Sequence, residues 1–203
     1  MIKALIFDFV GVLVRTEDYS LRHTWDERLG LPPGSVERAV HHSDIWIQAQ
    51  LGRITPRAYW NGVAELLYMS KEDIDALCRD YFSGDRVNHK VVALIRDLRE
   101  KGYRVALLSN NSLQLTSRLR DLGLEDLFDH VLISAQMGMM KPDPTAYRVA
   151  LQTCGVGPGE AILVDESLTN IRGAQPLGIH TIVFRPDLDL KAEINKCIEG
   201  QQE

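Results

Sequence analysis

The stretch ALIFD, residues 4–8, is a run of four apolar residues that ends on a carboxylate. A short apolar run with aromatic and β-branched members is typical of a strand that is buried on both faces. We therefore predict a first strand over residues 2–9, with Asp8 near its carboxyl end. Two residues after Asp8 the chain carries Val10, where a second carboxylate would have suited acid–base chemistry.

Four later stretches have the same apolar character and predict further strands. They lie at residues 103–108, 130–134, 160–164 and 180–184. Helical patterns separate them, at residues 91–101, 113–122, 145–153 and 170–177. Alternating strands and helices predict an α/β fold, a Rossmann-like parallel sheet with helices on both faces.

Residues 16–87 interrupt this alternation, because they contain no convincing strand. Their pattern predicts helices at residues 21–29, 35–50, 56–67 and 71–81. Thr55 before Pro56, and Ser70 with Asp73 three residues later, are typical helix starts. We therefore predict an all-helical domain, residues 16–87, inserted into a core domain formed by residues 1–15 and 88–203.

Composition narrows the classes of partner. The formal net charge of -5 argues against nucleic acid and against an anionic membrane. No apolar run approaches the roughly 18 residues that a membrane span needs, and the N-terminal run lacks a signal-peptide pattern. The three cysteines are far apart without a CxxC pair, which favours free thiols and a cytoplasmic protein.

Polar residues follow four of the predicted strands. Asp8 follows the first and Ser109 the second, Lys141 comes after the third, and Asp165 and Glu166 follow the fourth. In a parallel sheet these positions meet at one edge, where ligands bind. The set suits attack by a carboxylate on a phosphoryl group, and the acidic pair could hold Mg²⁺.

Taken in order, these motifs resemble the haloacid dehalogenase-like (HAD) hydrolase superfamily, in the branch with a helical cap, and its phosphatase members in particular. The resemblance rests on FDFVGVL with Asp8, LLSNNS with Ser109, GMMKPDPTAY with Lys141, and LVDESLTNIRGAQPLGI with Asp165 and Glu166. It covers nearly the whole chain.

The resemblance implies a role for each matching residue. Asp8 would be the nucleophile and would form an aspartyl intermediate. Ser109 and the backbone amide of Asn110 would bind the phosphoryl oxygens, and Lys141 would neutralise charge on the nucleophile and the phosphoryl group.

The resemblance also implies a magnesium site. Its ligands would be Asp8, the backbone carbonyl of Val10 and Glu166, which stands where the family usually has an aspartate. Asp165 would hold either Lys141 or a metal-bound water.

Val10 leaves the reaction open to alternatives. Family phosphatases use a second aspartate there as general acid and base, worth about 10²- to 10⁴-fold. Dehalogenases of the superfamily also lack it, because halide departs without a proton, but they use no metal. A third alternative is a binding module that keeps the fold and has lost turnover.

Six residues in and next to the predicted helical domain are candidate contacts to a substrate: Arg15, His41, His42, Trp46, Arg53 and Tyr59. Trp46 and Tyr59 are expected mainly in the core of that domain, and His41 and His42 on a solvated helix face. We expect a small-molecule substrate such as a sugar phosphate or a similar monoester, and a monomer or homodimer.

Overall fold

A computed structural model describes residues 1–200 of the chain. Its strands are β1 Ala4–Phe7, β2 Val14–Thr16, β3 Asp85–Val87, β4 Arg104–Ser109, β5 His130–Ile133, β6 Ala161–Asp165 and β7 His180–Val183. Its α-helices are α1 Ser20–Arg28, α2 Ser35–His41, α3 Asp44–Gln50, α4 Pro56–Leu66, α5 Lys71–Tyr81, α6 His89–Glu100, α7 Leu115–Asp121, α8 Ser134–Met137, α9 Pro144–Cys154, α10 Leu168–Ala174 and α11 Leu190–Glu199. Short 3-10 turns lie at Glu125–Leu127, Pro158–Glu160 and Gln175–Leu177.

The main sheet has five parallel strands in the order β5-β4-β1-β6-β7. Residues that alternate along β1 point to opposite faces, and all four are fully buried. Leu5 and Phe7 pack with α6, α7 and α11, whereas Ala4 and Ile6 pack with α9 and α10. The predicted α/β fold with helices on both faces is confirmed.

The strand order places three strand ends together. Phe7 of β1 lies beside Leu107 of β4 on one side and Val164 of β6 on the other. The chain proceeds from β1 outward through β4 and β5 and then returns to the opposite side of β1. A reversal of this kind opens a crevice at the carboxyl ends of the strands.

Helices α1 to α5, which we call the helical segment, have an apolar cluster of their own that includes Trp25, Val63 and Leu77. The predicted helix starts are confirmed, since the Thr55 side chain accepts a hydrogen bond from Ala58 N and the Ser70 side chain accepts one from Asp73 N.

The prediction of one helix over residues 35–50 is wrong. The side chain of Ser43 caps a new helix by accepting a hydrogen bond from Trp46 N, so α2 ends and α3 begins there.

The prediction that residues 16–87 contain no strand is also wrong. β3 pairs antiparallel with β2, with Arg15 opposite Arg86 and Thr16 opposite Asp85. Each strand has only three residues, and their partners are about seventy positions apart, so no local pattern marks them.

The division into an inserted domain and a core domain stays a prediction. None of the described helices is both long and apolar enough for a membrane crossing.

Candidate active site

The sheet brings the predicted polar residues to one edge. Asp8 directly follows β1 and extends its pairing, since its backbone amide donates to Val164 O at 2.9 Å. Ser109 is the last residue of β4, and Asp165 is the last residue of β6. The two strands that flank β1 therefore end level with the candidate nucleophile.

Lys141 joins two of these carboxylates. Its Nζ lies 3.0 Å from Asp8 Oδ1 and 2.7 Å from Asp165 Oδ2, and its side chain is fully buried. Burial lowers the pKa of Lys141, but the charges of Asp8 and Asp165 outweigh it and raise the pKa above its usual value. Lys141 is therefore a buried cation whose charge the two acids balance.

Asn110 holds the Lys141 backbone in place. Its Oδ1 accepts from Lys141 N at 2.8 Å and its Nδ2 donates to Lys141 O at 2.7 Å. Both polar atoms of the Asn110 side chain are thereby bonded to Lys141. The backbone amide is therefore the part of Asn110 that could donate a hydrogen bond to a phosphoryl group.

Asp8 presents one free oxygen. Its Oδ1 accepts from Phe9 N at 2.7 Å and faces Lys141, whereas no described residue hydrogen-bonds Oδ2. Burial raises the pKa of Asp8, Lys141 lowers it and Asp165 raises it again, to about 6. The carboxyl group is thus mostly ionised at neutral pH, with one oxygen available to attack.

The hydroxyl of Ser109 is buried and has no hydrogen-bond partner within residues 1–200. A buried polar atom without a partner is costly, by about 1–3 kcal/mol, and calls for an explanation. A phosphoryl oxygen bound at this edge would supply the missing partner.

Asp165 is saturated by protein contacts. Besides Lys141, it accepts from Ser167 N at 2.8 Å and from Asn170 Nδ2 at 3.1 and 3.2 Å. Of the two roles that the sequence left open, these contacts support the holding of Lys141.

Glu166 lies against the loop that follows β1. A Cβ on Gly11 would come within 1.7 Å of Glu166 Oε2, and Gly11 has a φ of +78°, so glycine alone suits this position. The Glu166 carboxylate therefore sits beside the backbone next to the Val10 carbonyl. Burial and the charge of Asp165 raise the pKa of Glu166, and Arg185 and Lys141 act against that rise.

These groups fit Mg²⁺. In the described part of the chain, no cluster of three or more His, Cys, Asp or Glu side chains is arranged around a metal position. Mg²⁺ needs fewer protein ligands, since it is commonly held by one or two carboxylates with water and phosphate oxygens completing its shell. Asp8 Oδ2, Glu166 and the Val10 carbonyl would supply oxygen donors of this kind.

The helical segment and the core enclose a cavity of about 290 Å³ next to Val10. Of the six candidate contacts from the sequence, Arg15, His41, Trp46 and Tyr59 line this cavity, whereas His42 and Arg53 do not. Tyr59 is also buried in the core of the helical segment, as expected.

The expectation of a solvated face holds for His42, which is exposed, but is wrong for His41. His41 Nδ1 lies 3.0 Å from Tyr81 Oη and 3.3 Å from Glu37 Oε1, because α5 packs over this side of α2.

Sequence reasoning missed several residues of this cavity: Arg22, Phe82, Asp85, Gln114 and Arg118. They come from three separate parts of the chain, and no spacing in the sequence links them.

The chain is similar to several known proteins. Residues 2–178 match the model of the haloacid dehalogenase-like hydrolase family. A mouse protein, acyl-CoA dehydrogenase family member 10, is 32% identical over 93% of this chain, but the chain spans only 18% of that protein. The sesquiterpene phosphatase astK of Aspergillus oryzae is 28% identical, with 98% of this chain and 95% of that protein aligned.

Two further similarities bear on the chemistry. The (S)-2-haloacid dehalogenase 4A of Burkholderia cepacia is 26% identical over 89% of this chain and 82% of that protein. Among solved structures, a HAD family enzyme from Bacteroides thetaiotaomicron, in complex with magnesium and inorganic phosphate, superposes with a TM-score of 0.79. Its sequence is 26% identical to this one, and the superposition covers 95% of this chain and 99% of the Bacteroides chain.

Proposed function

We propose that this chain, which belongs to the haloacid dehalogenase-like hydrolase family, is a Mg²⁺-dependent phosphatase that hydrolyses small phosphate monoesters through an aspartyl-phosphate intermediate. The observation that carries the proposal is the buried Lys141 between Asp8 and Asp165, at the strand edge where the Ser109 hydroxyl lacks a partner. A buried cation, a free carboxylate oxygen and an orphaned hydroxyl together suit a phosphoryl group.

In the first step Asp8 Oδ2 attacks phosphorus, the bond from phosphorus to the ester oxygen breaks, and the departing oxygen takes a proton from solvent water and leaves as the alcohol. In the second step water attacks the aspartyl phosphate, which releases inorganic phosphate and regenerates the carboxylate. Splitting one difficult displacement into two easier ones is the advantage of covalent catalysis.

The surrounding groups act on charge and position. Lys141 stays protonated between two acids and would offset charge on the phosphoryl oxygens, while Ser109 Oγ and the backbone amide of Asn110 would orient them. Mg²⁺ held by Asp8, Glu166 and the Val10 carbonyl would supply further stabilisation of the same negative charge.

The relatives support a phosphatase over a dehalogenase without identifying the substrate. An Aspergillus phosphatase aligns over nearly its whole length, and the Bacteroides structure holds magnesium and phosphate. The carboxylate of Glu166 beside Gly11 also gives a metal a place that halide chemistry does not need.

Dehalogenation is the second candidate, because Val10 offers the leaving group no proton and a dehalogenase is among the relatives. One assay separates the two. Phosphate release from p-nitrophenyl phosphate and chloride release from 2-chloropropionate are measured with Mg²⁺ and with EDTA.

We expect phosphate release that EDTA abolishes, and no chloride. Chloride release that is indifferent to EDTA would instead establish the dehalogenase. Calorimetric binding of Mg²⁺ with neither product would indicate a binding module without turnover.

A further inference from the structure

We propose that the cavity beside Val10 binds an apolar organic group, so that the substrates are phosphate monoesters of apolar alcohols rather than sugar phosphates. This inference rests on the proposed function for the phosphate half of the substrate. For the alcohol half of the substrate, it rests on the volume of the cavity and on the residues that line it.

The cavity is lined by residues that neighbour the candidate active site in the sequence. Val10 lines it, is 45% exposed, and lies two residues after Asp8. Asn111, two residues after Ser109, lines it beyond the end of the adjacent strand β4. An alcohol group attached to a phosphoryl group between Asp8 and Ser109 therefore has this cavity as its neighbouring space.

Apolar atoms supply most of the exposed cavity wall. Val10 and Val14 contribute from the core, and Trp46, Tyr59 and Phe82 contribute from the helical segment. The centroids of the Trp46 and Tyr59 rings lie 5.4 Å apart. Such a wall favours an apolar ligand through the removal of apolar surface from water.

The arginines of the cavity wall are already paired with acids. Arg22 Nη1 donates to Glu37 Oε2 at 2.6 Å, Arg118 is paired with Asp85, and Arg15 is paired with Glu17 at 2.7 Å. The two arginines of the wall whose side chains are largely buried, Arg22 and Arg118, are therefore not available to bind a second phosphate or a carboxylate.

Several polar groups in the wall are also engaged. Tyr59 Oη donates to Val40 O at 2.6 Å, and Gln114 Oε1 accepts from Trp60 Nε1 at 3.0 Å. Sugar hydroxyls would lose water here and would not find these two groups free, which is unfavourable. The sugar phosphate expected from the sequence therefore suits this wall less well than an apolar alcohol does.

The volume limits the size of the group. At about 290 Å³ the cavity is at the small end of the roughly 300–1,000 Å³ that ligand pockets span. It suits a medium-length hydrocarbon chain or a small ring system.

A chain-length series tests the inference on the unmodified protein. Binding of methyl-, butyl-, hexyl- and octylphosphonate, which cannot be hydrolysed, is measured by calorimetry with Mg²⁺ present. We expect affinity to rise about two- to fourfold per methylene until the cavity is full, and glucose 1-phosphate to bind no better than methylphosphonate.

Trp46→Ala removes part of the aromatic wall, and Leu66→Ala removes an exposed side chain outside the cavity as a matched control. We expect Trp46→Ala to reduce the ratio of octyl to methyl affinity about tenfold, and Leu66→Ala to leave it unchanged. Thermal melts of both variants verify that they are folded.

Affinities that do not depend on chain length overturn the inference, and so does a ratio that Trp46→Ala leaves intact. Hydrolysis of p-nitrophenyl phosphate reports separately on the proposed function. A protein that hydrolyses it but binds all phosphonates equally is a phosphatase without this specificity. A protein that hydrolyses nothing but prefers long chains has the apolar site without the activity.

Discussion

Asp8 and Val10 are two residues apart, yet their surroundings are opposite. Asp8 is buried beside a cation, whereas Val10 extends into an open cavity at 45% exposure. The proposed nucleophile is therefore held and partly desolvated, while position 10, which acid–base chemistry would use, carries an exposed apolar side chain. At the scale of single residues, these two positions are where the proposed chemistry can be tested.

We expect Asp8→Asn to abolish hydrolysis, by at least about a thousandfold, because an amide is a very poor nucleophile. Lys141 keeps its bond to Asp165, so the fold should persist. Phosphate release and a circular-dichroism melt measure the two effects. Activity within a few-fold of the parent would exclude Asp8 as the nucleophile.

We expect Val10→Asp to raise phosphatase turnover about tenfold or more for esters with poor leaving groups, since a well-placed general acid is worth about 10²- to 10⁴-fold and a grafted one less. The exposed position spares the new carboxyl group a large desolvation cost. The measurement compares kcat on an alkyl phosphate and on p-nitrophenyl phosphate, whose leaving group needs little protonation.

Val10→Asn is the matched control for that variant, because it is polar and of similar size but carries no acidic proton. An equal gain in both variants, or no gain in either, would mean that proton donation at position 10 does not limit the reaction.

At the scale of elements, Glu37 connects three helices. It accepts from Arg22 of α1 and from Tyr81 of α5, and it faces His41 within α2. Burial raises the pKa of Glu37, but the hydrogen bonds from His41 and Tyr81 and the charge of Arg22 outweigh it and lower the pKa from 4.5 to about 2. The ionised carboxylate therefore stabilises the helical segment.

The sign of the pH dependence follows from this lowered pKa. Below pH 4.5 the unfolded chain binds a proton at Glu37 that the folded chain does not. The stabilisation that ionised Glu37 gives to the folded state is therefore complete above pH 4.5 and declines as the pH falls towards 2. We expect Glu37→Gln to lower the free energy of unfolding at pH 7 by about 1–2 kcal/mol. This is less than the full pKa shift implies, because the Glu37 side chain is partly exposed to solvent.

Urea denaturation at pH 7 and pH 3 measures this difference, which should be smaller at pH 3. Glu125→Gln removes an exposed carboxylate and is the control, with no change expected at either pH. A difference that stays constant between the two pH values would contradict the stabilising role of the charge.

At the scale of the whole molecule, Asp85 of β3 links the helical segment to the core. It accepts from Thr16 Oγ1 at 2.5 Å, from Arg22 Nη2 at 3.4 Å, and from Arg118 of α7. The Arg118 guanidinium also lies 4.4 Å from the centre of the Phe82 ring. One buried carboxylate thus holds together elements that are distant in the sequence.

We expect Asp85→Asn to destabilise the protein by about 3 kcal/mol, because it leaves the Arg118 guanidinium partly buried without its acid. This corresponds to a melting temperature lower by about 6–12 °C for a chain of this size. Differential scanning calorimetry measures the shift.

Asp97→Asn breaks an exposed pair with Lys101 and should leave the free energy of unfolding nearly unchanged. Equal effects of Asp85→Asn and Asp97→Asn would mean that Asp85 is no structural link.

The sequence by itself determined the features that depend on neighbouring residues. Apolar runs such as ALIFD located the strands of the main sheet, and Thr55 and Ser70 marked helix starts, because backbone pairing and capping act over a few positions. The polar residues after the strands could be assigned to one edge because parallel strands share their direction.

Only the tertiary structure decided which side chains meet and what surrounds them. It turned Asp165 towards Lys141, buried the Ser109 hydroxyl without a partner, and placed His41 against α5. It also paired β2 with β3 and assembled the cavity wall from distant parts of the chain. These features depend on packing between residues tens of positions apart, and no local pattern in the sequence encodes such contacts.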